Sequence, residues 1–259
     1  MKTKIIGISG QKKSGKTTTI ESLIPKLQKL NLCVGTVKVA FRDVSIDVNQ
    51  EHYDVVRHRK ANPEKTLFKS TIDTTYFINK KQTLREALKV FSHGLDIVLI
   101  EGFKENLVGI PQVVLLKEPN QEKEYCDGFT TAVTSIPEFS IKSTHKKYIN
   151  FEKLSEQIPN LALPLFPDLD CQHCGFDTCN ELVQAIINKT KSVNDCEVFQ
   201  DEISDVILKI DEKIVPCKPF VQDVLKNVMT GILISLKLED QDFSHVDISF
   251  QYKKPSDEK

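Results

Sequence analysis

The sequence predicts an α/β protein with a mainly parallel sheet, followed by a small C-terminal α+β region. Three observations support this fold class. Short apolar segments alternate with amphipathic helical segments up to about residue 160. A glycine-rich turn joins the first apolar segment to the first helix. Four cysteines lie close together after a proline-rich stretch near residue 165.

Composition places the chain among soluble globular proteins. Of its 259 residues, 40% are hydrophobic and 27% are charged, which excludes a disordered or fibrous chain. We see neither a membrane-spanning stretch nor a signal peptide, so we expect a cytoplasmic protein. The net charge of −1 divides into +7 before residue 166 and −8 after it. The positive first part of the chain suits a phosphate-rich ligand, and the negative second part argues against binding of nucleic acid. The alternative is that the charges of both parts only solvate the surface.

The first elements follow from hydrophobic spacing. The run Ile5–Ile8 predicts a short buried strand that ends at Ser9. Apolar residues at spacings of three and four predict a helix over 17–30, bent at Pro25. Residues 32–40 predict a second strand. The other elements predicted for this domain are helices over 51–60 and 83–91, brief strands at 67–68 and 75–78, and strands at 96–100, 111–116 and 130–133.

Four regions are expected along the chain. They are a nucleotide-binding domain over 1–160, a four-cysteine domain over 161–200, an α+β unit over 201–252 and a polar tail over 253–259. Pro159, Pro164 and Pro167 predict a linker between the first two. We expect the third region to contain a hairpin, a helix over 219–236 with a buried apolar face, and a strand over 246–250.

The strongest motif is a phosphate-binding loop. Residues 10–17 fit the pattern G-x4-G-K-[ST], placed between a buried strand and a helix. The pattern predicts that backbone amides surround phosphate oxygens, that Lys16 neutralises β/γ-phosphate charge, and that the Thr17 hydroxyl binds Mg²⁺. It indicates a P-loop NTPase domain and leaves the base open. The candidate nucleotide-binding residues are Gly10, Lys12, Lys13, Ser14, Gly15, Lys16, Thr17 and Thr18.

Lys16 and Glu101 are the two candidate catalytic residues. Glu101 follows the uninterrupted apolar strand 97–100, a pattern typical of a parallel sheet covered on both faces. The carboxyl ends of such strands face the ligand crevice. Glu101 could therefore orient a water molecule, and Gly102 would let the chain turn away beside the phosphates. The alternative is that Glu101 only caps a neighbouring helix.

These residues together resemble one family. The loop 10–18, Lys38, Asp54, residues 59–61 and the block 101–104 are similar to molybdopterin-guanine dinucleotide biosynthesis protein B. The resemblance covers residues 1–160 and implies a P-loop fold, GTP binding and assistance to the guanylyltransferase that joins GMP to the molybdenum pterin. It also implies that Lys38 and Asp54 lie on the substrate side. Residues 39–63 depart from the family's pattern, so nucleotide binding is better supported than the second substrate.

The second motif is the set Cys171, Cys174, Cys179 and Cys196. Four clustered thiols favour an iron–sulphur cluster or zinc. The spacing resembles a small four-cysteine iron–sulphur domain, which implies one [4Fe–4S] cluster; structural zinc is the alternative. Of the other cysteines, Cys33 is expected in the core, whereas Cys126 and Cys217 have no clear role. His52, His58 and His93 are expected at the surface, and His173 is expected to take no part in ligation.

Three functional hypotheses follow. The first is a GTP-binding accessory protein of molybdenum cofactor biosynthesis, with weak GTPase activity and a [4Fe–4S] domain that serves a redox client. The second is an NTP-driven metallocentre carrier or reductive activator. The third is a nucleotide-binding scaffold with structural zinc. Molybdopterin binding and a homodimer are compatible with the first.

Overall fold

A computed structural model describes residues 2–40, 54–102, 109–139, 141, 147–201, 208–210, 213–215, 219–236, 246 and 248. The chain forms two compact units, Met1–Phe199 and Gln200–Lys259. The predicted boundaries within 1–200 stay predictions. In chain order the elements are β1 (Lys4–Gly10), α1 (Lys16–Gln28), β2 (Val34–Lys38), α2 (Asp54–Lys60), β3 (Lys65–Lys69), β4 (Thr74–Ile78), α3 (Leu84–Phe91), β5 (Ile97–Glu101), β6 (Gln112–Leu115), α4 (Glu122–Tyr125), β7 (Thr130–Thr134), α5 (Leu154–Leu161), β8 (Leu163–Pro164), α6 (Cys179–Ile187), α7 (Glu197–Asp201), β9 (Leu208–Ile210), β10 (Lys213–Val215) and α8 (Pro219–Ser235).

The first unit is built on a sheet with the strand order β2-β5-β1-β6-β7. All neighbours in this order are parallel. β8 adds a short antiparallel pairing beside the start of β1, with Lys4 opposite Pro164. The arrangement confirms the predicted α/β fold with a mainly parallel sheet.

Helices cover both faces of this sheet. Leu23 and Leu27 of α1 pack with Leu154 and Ile158 of α5 in the core on one face. Leu88 of α3 packs against β1 and β5 on the other face. All five residues of β5 are buried, which explains why its sequence lacks the polar alternation of a half-exposed strand.

The proline-rich stretch is not the linker that its composition predicts. Pro159 lies inside α5, and Pro164 lies in β8, which is paired to β1. Phe166 is completely buried and stacks on Phe199, with ring centroids 5.3 Å apart. The stretch is therefore packed structure. Its residues contact parts of the chain that are distant in sequence, and composition alone does not reveal such contacts.

The brief strands predicted at 67–68 and 75–78 are confirmed as parts of β3 and β4, which form a separate antiparallel sheet beside α2. Cys33 is exposed instead of being in the core. It precedes β2, and its backbone N–H donates to the Asp96 carboxylate at 2.7 Å, so only its main chain is held.

The second unit contains the hairpin β9–β10 and helix α8. The apolar face of α8 is open rather than buried as predicted, since Val221, Val224, Val228 and Ile232 are 39–51% exposed. The predicted strand over 246–250 falls largely outside the described residues. No helix in the described part of the chain is both long and apolar enough to cross a membrane.

Candidate functional site

The phosphate loop connects the end of β1 to the start of α1. Gly10 and Gly15 have φ angles of 131° and 86°, in the left-handed region that favours glycine. A Cβ on Gly10 would lie 2.3 Å from the Leu115 carbonyl oxygen, and one on Gly15 would lie 2.7 Å from Ile136. Lys13 also has a positive φ, 63°. The loop thus needs glycine at its two ends and bends at a lysine between them.

Lys16 stretches back across this loop. Its ammonium donates to the carbonyl oxygens of Gly10 at 2.9 Å and Gln11 at 2.6 Å. Burial lowers the pKa of Lys16, Glu101 opposes that shift, and Lys38 reinforces it. The ammonium therefore lies over the phosphate loop. Phosphate oxygens bound there would compete with these two carbonyl oxygens for the ammonium.

The start of α1 is suited to an anion. Its N-cap, Gly15, offers no side-chain acceptor to the first backbone amides, and the first turn carries no acidic residue. Unpaired amides and the helix dipole together attract phosphate. Ser14 is fully buried, and its hydroxyl has no hydrogen-bond partner among the described residues. A nucleotide phosphate in the loop would fit this set of unsatisfied donors. Lys12 and Thr18 are exposed at the loop surface.

Glu101 and Thr17 meet beside the loop. The Thr17 hydroxyl lies 3.2 and 3.1 Å from the two carboxylate oxygens of Glu101. The Lys38 ammonium contacts the same carboxylate. Hydroxyl and carboxylate oxygens are the hard donors that Mg²⁺ prefers, so the pair fits this ion. Glu101 therefore contacts the first turn of α1 through the hydroxyl of the phosphate loop's threonine.

The end of β5 is held close to the end of β2. Lys38 and Glu101 face each other in the strand register, and the Val39 N–H donates to the Glu101 carbonyl at 2.9 Å. Gly102 has φ 87°, and a Cβ there would lie 2.5 Å from the Val39 carbonyl oxygen. The glycine therefore permits the turn away from the site that the sequence predicts.

Sequence reasoning missed a glutamine pair that supports the loop. Gln121 is buried, donates to the Gln11 side chain at 2.9 Å, and accepts from the Lys117 N–H at 2.9 Å. Its sequence neighbourhood is a polar connection between strands, with no signal that a glutamine there turns inward. The structure thus ties the phosphate loop to the residues that follow β6.

The substrate-side candidates are less closely grouped. Lys38 contacts Glu101 beside the phosphate loop, whereas Asp54 begins α2. In α2 the Arg59 guanidinium stacks 4.1 Å from the Phe77 ring of β4. Phe103, Lys104 and His52 lie outside the described residues. His58 and His93 are exposed, as expected.

The four cysteines of the second motif line one pocket. Cys179 and Cys196 are buried, whereas Cys171 and Cys174 are half-buried, and all four are free thiols. Burial raises the pKa of Cys196 to about 11, and the other three cysteines add to the rise. Burial also raises the pKa of Cys179. Four thiolates this close repel one another, so the set fits a bound cationic centre that would stabilise the ionised form.

Local hydrogen bonds shape the pocket. The Asp170 carboxylate accepts from the Cys179 N–H at 2.7 Å, and Thr178 caps α6 by accepting from the Glu181 N–H at 3.2 Å. Both position Cys179 at the start of that helix. His173 also lines the pocket, with its Nδ1 3.7 Å from the Glu197 carboxylate. Within the described ranges, no three His, Cys, Asp or Glu side chains are arranged to hold a single metal ion.

The cysteine pocket and the phosphate loop lie at opposite ends of the sheet. Lys2, just before β1, donates to the Phe199 carbonyl at 2.8 Å, and the Gly109 N–H, just before β6, donates to Asn180 at 3.0 Å. The cysteine segment thus packs where these strands begin. The phosphate loop starts at Gly10, where β1 ends, and a seven-residue strand spans about 20 Å.

Comparisons with known proteins agree with both motifs. Residues 5–136 match the family described as molybdopterin guanine dinucleotide synthesis protein B. Residues 166–198, which include all four cysteines, match a family described as "Putative Fe-S cluster". The crystal structure of Bacillus subtilis MobB covers 62% of this chain and 98% of its own, with a TM-score of 0.51 and 21% identity. That likeness supports the fold.

Two sequence relatives carry related names. A "Putative molybdopterin-guanine dinucleotide biosynthesis adapter protein" of Methanocaldococcus jannaschii is 28% identical over 237 residues, 90% of this chain and 92% of the relative. A molybdopterin-guanine dinucleotide biosynthesis adapter protein of Haemophilus influenzae is 30% identical over 119 residues, 44% of this chain and 64% of the relative. With half of its length matched by the family, the chain belongs to the molybdopterin guanine dinucleotide synthesis protein B family.

Proposed function

We propose that this protein is a GTP-binding adapter of molybdopterin guanine dinucleotide biosynthesis, with weak GTPase activity. The observation that carries the proposal is the contact of Thr17 with Glu101 beside a glycine-bounded loop that Lys16 spans. The names of its relatives supply the pathway. The expected partner is the guanylyltransferase that joins GMP to the molybdenum pterin, and the expected location is the cytoplasm.

Each residue of the proposed nucleotide site has a distinct role. The loop amides and Lys16 hold the β/γ-phosphates, and Thr17 provides a hydroxyl for Mg²⁺. Bound Mg²⁺ would offset charge that develops on the phosphates. The Glu101 carboxylate is almost buried. It orients the attacking water molecule or accepts a proton from it. Positioning and electrostatics, rather than covalent chemistry, would produce a slow hydrolysis.

The test of nucleotide binding compares the wild-type protein with the Lys16→Ala and Glu101→Gln variants. GTP affinity measured by calorimetry with Mg²⁺ should fall about tenfold or more in Lys16→Ala, because a charge-assisted phosphate contact is lost. Glu101→Gln should weaken GTP binding less than Lys16→Ala does, and should lower hydrolysis by a factor of about 10²–10⁴. A preference for ATP over GTP would contradict the assignment of the base.

The adapter role has a separate test. The purified guanylyltransferase is assayed with GTP and molybdenum cofactor, with and without this protein. We expect wild-type protein to increase product yield and Lys16→Ala protein to have no effect. Equal stimulation by both would show that nucleotide binding at this loop is not part of the adapter role.

We further propose that residues 166–198 hold one [4Fe–4S] cluster, bound by Cys171, Cys174, Cys179 and Cys196. The proposal is supported by the four thiols that line one common pocket and by the match of residues 166–198 to a family described as "Putative Fe-S cluster". Such a cluster, when bound, could exchange single electrons with a redox client.

Metal analysis of anaerobically purified protein tests this proposal. We expect about four irons per chain, and we expect Cys171→Ser to lose most of them. Cys126→Ser is the matched control, since Cys126 is also half-buried but does not line the four-cysteine pocket. One zinc per chain and no iron would establish the structural-zinc alternative.

A further inference from the structure

The Glu101 carboxylate is shared by two groups that differ in mobility. Thr17 belongs to the first turn of α1 and is fixed by the helix. The Lys38 side chain is 62% exposed, while that of Glu101 is 11% exposed. The backbones behind them are locked by the strand register and by the close approach of Gly102 to Val39. The exposed, flexible lysine stem can leave this cluster without moving the fold.

The charges of the cluster explain why a lysine lies there. Glu101 is nearly buried and close to the loop that would receive a triphosphate. A bare carboxylate at this position would repel phosphate, and an ammonium that contacts it removes that repulsion. Mg²⁺ that arrives with a nucleotide is attracted to the same carboxylate and to the adjacent Thr17 hydroxyl. The ammonium and the metal ion repel each other, so each weakens the binding of the other to this one carboxylate.

We propose that Lys38 is a positioning residue that neutralises Glu101 when nucleotide is absent and competes with Mg²⁺ for this carboxylate when nucleotide binds. The inference rests on the proposed nucleotide binding at the loop. Lys38 thereby lowers the dependence of nucleotide binding on Mg²⁺. It acts through Glu101 and not through a direct contact with phosphate.

The test measures a ratio in the full-length protein. Calorimetry gives the GTP dissociation constant in EDTA and in saturating MgCl₂, and the first divided by the second is the magnesium factor. In Lys38→Met the uncompensated Glu101 weakens binding in EDTA, and Mg²⁺ meets no competitor. We therefore expect the magnesium factor to rise about tenfold. Lys38→Arg keeps the charge and should stay near the wild-type value.

A double-mutant cycle separates this role from a structural one. When Glu101→Gln has already removed the carboxylate charge, adding Lys38→Met should leave the magnesium factor unchanged. Lys29→Met is the control for loss of a lysine charge, because Lys29 is exposed at the far end of α1. The thermal unfolding midpoint of each variant shows that it is folded.

Three results would overturn the proposal. An equal loss of GTP affinity from Lys38→Met with and without Mg²⁺, also in the Glu101→Gln background, would show direct phosphate binding by Lys38. An unchanged magnesium factor in Lys38→Met would show that Lys38 does not compete with the metal ion. Absence of GTP binding by the wild-type protein would instead remove the proposed function itself, and the inference with it.

Discussion

Gly10 is the residue at which the phosphate loop is most sensitive to a single methyl group. Its left-handed φ and the Leu115 carbonyl oxygen 2.3 Å from the position of a Cβ leave no room for alanine. We expect Gly10→Ala to lower the free energy of unfolding by about 3 kcal/mol, from backbone strain and a clash that only strand movement can relieve. Urea denaturation measures this loss, and GTP affinity should fall with it.

Gly94 is the matched control for this prediction. It also has a left-handed φ, 76°, but a Cβ there would have no neighbour within 4 Å. Gly94→Ala should therefore lose only about 1 kcal/mol, the conformational part, and should bind GTP normally. Equal losses in the two variants would show that the contact with Leu115 is not the cause.

Among the elements, α6 links secondary structure to the cysteine site. The Thr178 side chain caps this helix, and Cys179 is its first residue. We expect Thr178→Ala to destabilise the helix start by about 1 kcal/mol and to speed the loss of iron from the protein. Iron release to a chelator, followed by absorbance, measures the effect.

Helix α3 provides the control at the same scale. Thr83 caps it and forms a capping box with Glu86. Thr83→Ala should lose a similar free energy of unfolding without a selective increase in iron release. Faster iron loss in both variants would indicate that global stability, and not the position of Cys179, controls the cluster.

At the scale of the whole molecule, the two sites are separated by the length of the sheet. The cysteine segment packs where β1 and β6 begin, whereas the phosphate loop follows the end of β1. We therefore expect Mg–GTP to leave the EPR spectrum of the dithionite-reduced protein unchanged. A shift of the signal with GTP would contradict this expectation and would favour the reductive-activator hypothesis.

Residue patterns predicted the parallel sheet and the phosphate loop because both depend on local sequence. An apolar run such as Ile97–Ile100 is typical of a strand covered on both faces, and the loop's glycines adopt backbone angles that other residues avoid. The four cysteines were found by spacing alone. Predictions that depended on partners distant in sequence were wrong: Cys33 is exposed, the proline-rich stretch is packed, and the apolar face of α8 is open.

The sequence by itself determined the chemistry of both motifs: a lysine and a hydroxyl after a glycine turn, and four thiols in a short segment. Only the tertiary structure decided how these groups are combined. Strand register brings Lys38 to Glu101, although the two are 63 residues apart. Hydrogen bonds from Lys2 to Phe199 and from Gly109 to Asn180 place the cysteine segment at the end of the sheet remote from the loop. The physical reason for this difference is that the chemistry of a motif depends on neighbouring residues, whereas the burial and pairing of distant residues depend on the whole core.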